Sequence, residues 1–149
     1  MFSLEHKTTL VTGAGSGIGA AIAGVFSQAG ATVFAADRDE NGGMATVARI
    51  NTSGGTARFL KLDITSAADI AAAVVAVGGP LDVLVNNAGV GCVGTILQTP
   101  PEEFDRLVAV NVRGTYQVAR AFLPAMLARG RGSVINLASI AGVVAVSDR

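Results

Sequence analysis

The sequence predicts an α/β protein built on a doubly wound parallel sheet, with helices on both faces. Three observations carry this. Short apolar, β-branched runs alternate with longer stretches of helical period along the whole chain. Those runs are nearly continuous in apolar residues, as strands buried on both faces are. A glycine-rich turn joins the first run to the first helix, where such sheets place their ligands.

The first strand is "TTLVT", Thr8 to Thr12. Ile18, Ala21, Ile22, Val25, Phe26 and Ala29 then recur on one helical face, and Gly30 supplies the stop. "ATVFAAD", Ala31 to Asp37, is the second strand, followed by a glycine-punctuated helix from Glu40 to Ile50. "TARFLKL", Thr56 to Leu62, is the third strand. Ser66 opens the next helix, with Asp69 placed to complete a capping box. "LDVLVNN", Leu81 to Asn87, is the fourth strand. Thr99, Pro100 and Glu102 start a helical region that runs to about Arg129. Pro124 inside it should kink it or free a carbonyl. "SVINLAS", Ser133 to Ser139, is the fifth strand. Strand and helix in strict alternation, with right-handed crossovers, give the doubly wound sheet.

Composition narrows the function. The 149 residues fit one domain, residues 1–149. Half are apolar and only 15% are charged, with Lys plus Arg equal to Asp plus Glu. No basic field points to nucleic acid or an anionic membrane. The long uncharged run before Glu102 is broken by Asn86, Asn87, glycines and a Pro-Pro pair, which argues against a membrane span. A single cysteine, Cys92, and an N-terminus without the apolar core of a leader predict a reducing, cytoplasmic setting. No residue pattern suggests a metal site.

"TGAGSGIG", Thr12 to Gly19, is the most informative stretch. Glycines let the backbone approach a ligand, and the free amides of the following helix face a phosphate. No Lys-Ser or Lys-Thr follows, which disfavours a nucleotide-hydrolysing loop. Gly15, Gly17 and Ala20 satisfy one dinucleotide spacing, and Gly13, Gly17 and Gly19 satisfy another. Asp37 closes the second strand, where a carboxylate accepts from both adenosine ribose hydroxyls and repels a 2'-phosphate. NAD is therefore expected over NADP, with the neighbouring Arg38 keeping NADP open. Asp63, ending the third strand, is either an adenine acceptor or a turn aspartate.

Taken in register, "TGAGSGIG", Asp37, "LDI" (Leu62 to Ile64), "NNAG" (Asn86 to Gly89), "NVRGTY" (Asn111 to Tyr116) and "INLASIAG" (Ile135 to Gly142) resemble a short-chain dehydrogenase/reductase. The resemblance spans the chain and implies a Rossmann fold and hydride transfer between NAD(P) and an alcohol or carbonyl substrate. It implies that Gly13, Ser16, Gly17, Ile18 and Gly19 form the cofactor turn. Asp37 would hold the adenosine ribose, and Asp63 and Ile64 would lie at the adenine. Asn87, Ala88 and Gly89 would line the cofactor. Asn111 would help order a proton relay, and Ser139 would hydrogen-bond the substrate oxygen. Without the resemblance, Asn111 reads equally as a helix-bending residue and Ser139 as a capping serine.

The family also uses a tyrosine roughly thirteen residues after that serine, with a lysine four further on. Tyr116 is the only tyrosine and no lysine follows it at that spacing. The reading is that the catalytic pair lies beyond Arg149, with further strands and helices of the sheet. The fifth strand would then be an apolar edge. The alternative is a truncated, non-catalytic dinucleotide-binding or interaction module. The family commonly forms homodimers or homotetramers through the Asn111 to Arg129 helix. Ala119, Phe122 and Met126 read equally as interface or as core.

Overall fold

In the computed structural model, which describes residues 3–142 and Val144, the alternation resolves into a single parallel sheet. In chain order the elements are β1 (Thr8–Thr12), α1 (Gly17–Gln28), β2 (Thr32–Asp37), α2 (Glu40–Thr52), β3 (Thr56–Lys61), α3 (Ala67–Val77) and β4 (Val83–Asn86). They continue with α4 (Pro101–Val108), a π-helical segment (Ala109–Gly114), α5 (Thr115–Ala128), β5 (Ser133–Asn136) and a short 3-10 turn (Ile140–Gly142). The strand order is β3-β2-β1-β4-β5, with every pairing parallel.

Strand periodicity sorts the core into two layers. Leu10, Phe34, Leu60 and Leu84 face one side, where they meet Ile70 of α3 and Val118, Phe122 and Met126 of α5. Val11, Val33, Ala35, Val83 and Val85 face the other and pack on Ala23 of α1 and Ile50 of α2. The registers Leu10↔Phe34 and Leu10↔Leu84 align like faces across the sheet. Phe122 and Met126 are each 3% exposed, so they belong to the core; Ala119 is half-buried.

The structure corrects several expectations. β4 begins at Val83 because Leu81 and Asp82 enter from a loop, where the Asp82 amide donates to the Thr8 carbonyl (2.8 Å). β5 ends at Asn136, short of Ser139, although the Leu137 amide still donates to the Asn86 carbonyl (2.9 Å). It is the outer strand beside β4 among the described residues.

At α3 the expected capping box forms by half. The Ser66 hydroxyl accepts from the Asp69 amide (3.2 Å), but Asp69 Oδ2 accepts from the amide of Asp63 (3.0 Å) rather than that of Ser66. The chain passes Pro124 inside α5 and stays helical to Ala128. Having no N–H, Pro124 leaves the Arg120 carbonyl without its helical donor, and a separate irregularity lies earlier, in the π segment, which carries one residue more per turn than an α-helix allows.

The carboxyl ends of all the strands point one way, and the loops that leave them form a single rim. At the opposite end, Asp82 takes the Thr8 amide (2.9 Å), Arg129 Nη2 (3.2 Å) and Lys7 Nζ (3.8 Å). Arg129 also donates to the Leu81 carbonyl (2.6 Å). This polar clamp ties β1, β4 and the end of α5 together.

Candidate functional site

The rim at the carboxyl ends encloses a cleft of about 370 Å³. The glycine loop forms one wall. Gly13 (φ +67°) and Gly17 (φ +51°) adopt backbone conformations that L side chains rarely enter. Gly19 is required for a different reason. A Cβ there would run into the Gly13 carbonyl oxygen and the Asn87 amide nitrogen. At Gly13 a Cβ would lie 2.8 Å from the Ala88 Cα. The loop and the β4 rim are therefore in backbone contact.

Thr12 and Asn87 fasten that contact. The Thr12 hydroxyl accepts from the amides of Asn87 and Ala88 (3.0 Å each) and donates to the Val85 carbonyl (3.3 Å). The Asn87 side-chain amide donates to the carbonyls of Thr12 (2.8 Å) and Gly13 (3.2 Å). Thr12 is 2% exposed, so these bonds are sheltered from water. The sequence places Thr12 in the glycine stretch but gives it no role of its own, because a threonine closing a β-branched strand looks like strand propensity alone. The signal was its place directly before the first glycine of the loop.

The start of α1 is open to an anion. Ser16, its N-cap, makes no side-chain capping bond, and the first turn holds no acidic residue. Among the described residues no side chain satisfies the amide groups there, and the helix dipole adds positive potential. Asp37 stands beside this loop. Its Oδ2 accepts from the Gly15 amide (2.7 Å) and its Oδ1 from the Asp39 amide (2.8 Å). A Cβ on Gly15 would come 2.8 Å from Asp37 Oδ2, so a glycine here lets the carboxylate reach the loop.

The third wall is the loop after β3. Asp63 Oδ1 accepts from the amide (2.8 Å) and hydroxyl (2.7 Å) of Thr65. Ile64 is buried, and its side chain closes on Gly114 of the π segment, where a Cβ would lie 2.7 Å from it. Glycine at that position brings the π segment against the cleft. Asp69 reinforces this loop. Its pKa is lowered from the ordinary value of 3.8, first by the Asp63 amide and then by the Ser66 hydroxyl.

Every cofactor residue expected from the sequence lines this one cleft: Gly13, Ser16, Gly17, Ile18, Gly19, Asp37, Asp63, Ile64, Asn87, Ala88 and Gly89. Arg38, Val90 and Val110 join them, and the sequence had not marked the two valines. Asn111 and Ser139 stand outside its lining. Asn111 lies in the π segment and grips Val90 from both sides. Its Oδ1 accepts from the Val90 amide (2.9 Å) and its Nδ2 donates to the Val90 carbonyl (2.8 Å). Ser139 lies past the end of β5, exposed, with its hydroxyl accepting from the Ala141 amide (3.2 Å). The residues after Val144 fall outside the described structure.

The cradle fits a dinucleotide. A backbone-walled turn, uncapped helix amides and an anchored carboxylate stand at the end of adjacent parallel strands. Among the described residues, no three His, Cys, Asp or Glu side chains gather as a metal site, and no helix is long and apolar enough to cross a membrane.

Known proteins match the same fold and the same span. The chain is 38% identical over 146 residues to a 2-(S)-hydroxypropyl-CoM dehydrogenase 3 of Xanthobacter autotrophicus, covering 96% of this chain and 57% of that relative. It therefore spans little more than half of the relative's length. A solved short-chain dehydrogenase/reductase from Mycobacterium marinum superposes with a TM-score of 0.92 at 33% identity, over 98% of this chain and 61% of that one. A Beutenbergia cavernae structure, assigned as an NAD(P)-dependent gluconate 5-dehydrogenase with NADP bound at low occupancy, gives a TM-score of 0.91 at 34% identity, over 99% and 59% of the two chains. The family model described as short chain dehydrogenase matches residues 7–148, and the chain belongs to that family.

Proposed function

We propose that the protein containing this chain is a cytoplasmic NAD-dependent oxidoreductase acting on a small alcohol or carbonyl substrate. The observation that carries the cofactor choice is the Asp37 carboxylate, pinned by the Gly15 amide (2.7 Å) beside the glycine loop. Held there, it offers its remaining lone pairs to ribose hydroxyls and repels a 2'-phosphate. NADP is the less favoured cofactor, since Arg38 also lines the cleft.

When bound, the dinucleotide supplies the site that gives or takes hydride. The chain's own residues do the rest. The amides at the start of α1 take the pyrophosphate, Asp37 fixes the adenosine ribose, and Asp63 and Ile64 bound the adenine end. Asn87, Ala88 and Gly89 set the opposite wall. Asn111 holds Val90 and so shapes the cleft near the reacting end. Ser139 is assigned to the substrate oxygen, with a family-type tyrosine and lysine following Arg149 to move the proton. Phe104, Val112, Tyr116 and Leu127, which α4, the π segment and α5 leave exposed, support a homodimer or homotetramer built on that face.

Titration calorimetry tests the cofactor assignment. NAD should bind about tenfold or more tightly than NADP, as expected when one charged acceptor is gained or lost. Asp37→Ser should erase that preference. Equal binding of the two by the wild type would refute the assignment.

A further inference from the structure

The rim loop after β4 is gripped a second time, by a residue outside the cleft. Arg106, on α4, makes a forked pair with Glu103 one turn earlier: Nε to Oε2 at 2.8 Å and Nη2 to Oε1 at 2.7 Å. A forked pair fixes the guanidinium plane. Nη2 also donates to the Gly91 carbonyl, at 3.4 Å. Gly91 follows Val90, the residue Asn111 holds on both backbone groups.

We propose that Arg106 is a positioning residue of the cofactor cleft: Glu103 aims it, and it holds Gly91 so that Gly89 and Val90 keep their place in the wall. The proposal rests on the cofactor reading above. Neither Arg106 nor Glu103 lines the cleft, so any effect on the cofactor must pass through the loop.

The electrostatics agree with a standing pair. Arg106 lowers the pKa of Glu103, chiefly through the hydrogen bond, and Glu103 raises that of Arg106 in the same way. Two grips on consecutive residues matter because, among the described residues, the loop adds only a long contact of Cys92 Sγ with the Thr99 hydroxyl (3.8 Å) before Thr95. Gly91 and Val93 are exposed, and Gly94 sits at φ +156°. Farther along, Thr95 and Gln98 bond to each other rather than to the rim. Without Arg106, the next tie after Val90 would be that long contact of Cys92 with Thr99.

The test uses the whole protein and two readouts. The first is amide hydrogen exchange of the Gly89 to Cys92 segment, with β1 as internal reference. The second is the NAD dissociation constant. Arg106→Ala should speed exchange in that segment and weaken NAD by about three- to tenfold, the loss of one charge-assisted bond. Exchange in β1 should not change. Arg106→Lys, which keeps a donor for Gly91 but loses the fork, should recover part of both. Arg120→Ala, an exposed arginine on α5, is the control for lost charge and should change neither. Unchanged exchange at Gly89 to Cys92 in a folded Arg106→Ala variant would overturn the proposal, as would equal acceleration in β1. If the wild type itself fails to bind NAD, the cofactor reading falls and the proposal with it as stated. Faster exchange in Arg106→Ala would then mark Arg106 as a loop anchor only.

Discussion

A methyl group added at Gly19 would meet the Gly13 carbonyl oxygen and the Asn87 side-chain amide. One added at Gly24, in the same helix, would meet nothing within 4 Å. The two glycines look alike in the sequence, and only the packing separates them. Gly19→Ala should destabilise the protein by about 1–3 kcal/mol, because backbone cannot rotate aside as a side chain can. It should also abolish cofactor binding, since the loop and the β4 rim would part. Gly24→Ala should stabilise by roughly 0.5–1 kcal/mol through helix propensity alone, with binding unchanged. Thermal melts with and without NAD measure both. Thr12 shows the same limit of legibility. Its hydroxyl joins two strands and a turn, yet nothing in "TTLVT" distinguishes it from Thr8.

Elements were legible where a local pattern and its surroundings agree. Gly30, the expected stop of α1, is at positive φ, as helix stops require. The ends of strands were less legible. "SVINLAS" is apolar beyond the point where the strand stops, and Leu137 there is exposed, because an apolar run does not mark where hydrogen-bonded pairing ends. The π segment left no mark either, since an extra residue in a helix merely shifts the phase of its apolar face. At α3, the half-formed capping box has a consequence for pH. Asp69 has a lowered pKa in the folded protein, so its contribution to stability is present above the unfolded value near 3.8 and is lost as pH falls through the folded value. Asp69→Asn should therefore flatten the acid limb of a stability–pH curve while leaving the limb above neutrality unchanged. Denaturant melts across the acid range check it.

For the molecule as a whole, the sheet separates stability from chemistry. The cleft lies at the carboxyl ends of the strands, and the Asp82 clamp lies at the amino ends. Asp82→Ala would leave the Thr8 amide without its acceptor and Arg129 with the Leu81 carbonyl but no carboxylate. The loss should be on the order of 1–3 kcal/mol, the cost of stranding partly buried polar groups. NAD affinity should stay within about twofold, since nothing in the clamp touches the rim. A combined loss of affinity would mean that the two ends are coupled. The π segment, by contrast, joins both concerns, because Asn111 and Gly114 serve the cleft from within it while α5 beyond it fills the core. A chain that lost a single residue between Ala109 and Gly114 could close that stretch as ordinary α-helix and remain one continuous rod. The helix on either side would keep nearly its present phase, because a π turn spends about one residue more than an α turn in covering about the same angle. Val118, Phe122 and Met126 would stay in the core and Arg106 beside its loop, while the local bulge that carries Asn111 and Gly114 to the rim would be lost. The extra residue thus serves the rim rather than the fold, and a chain without it should keep its core and lose the hold on Val90.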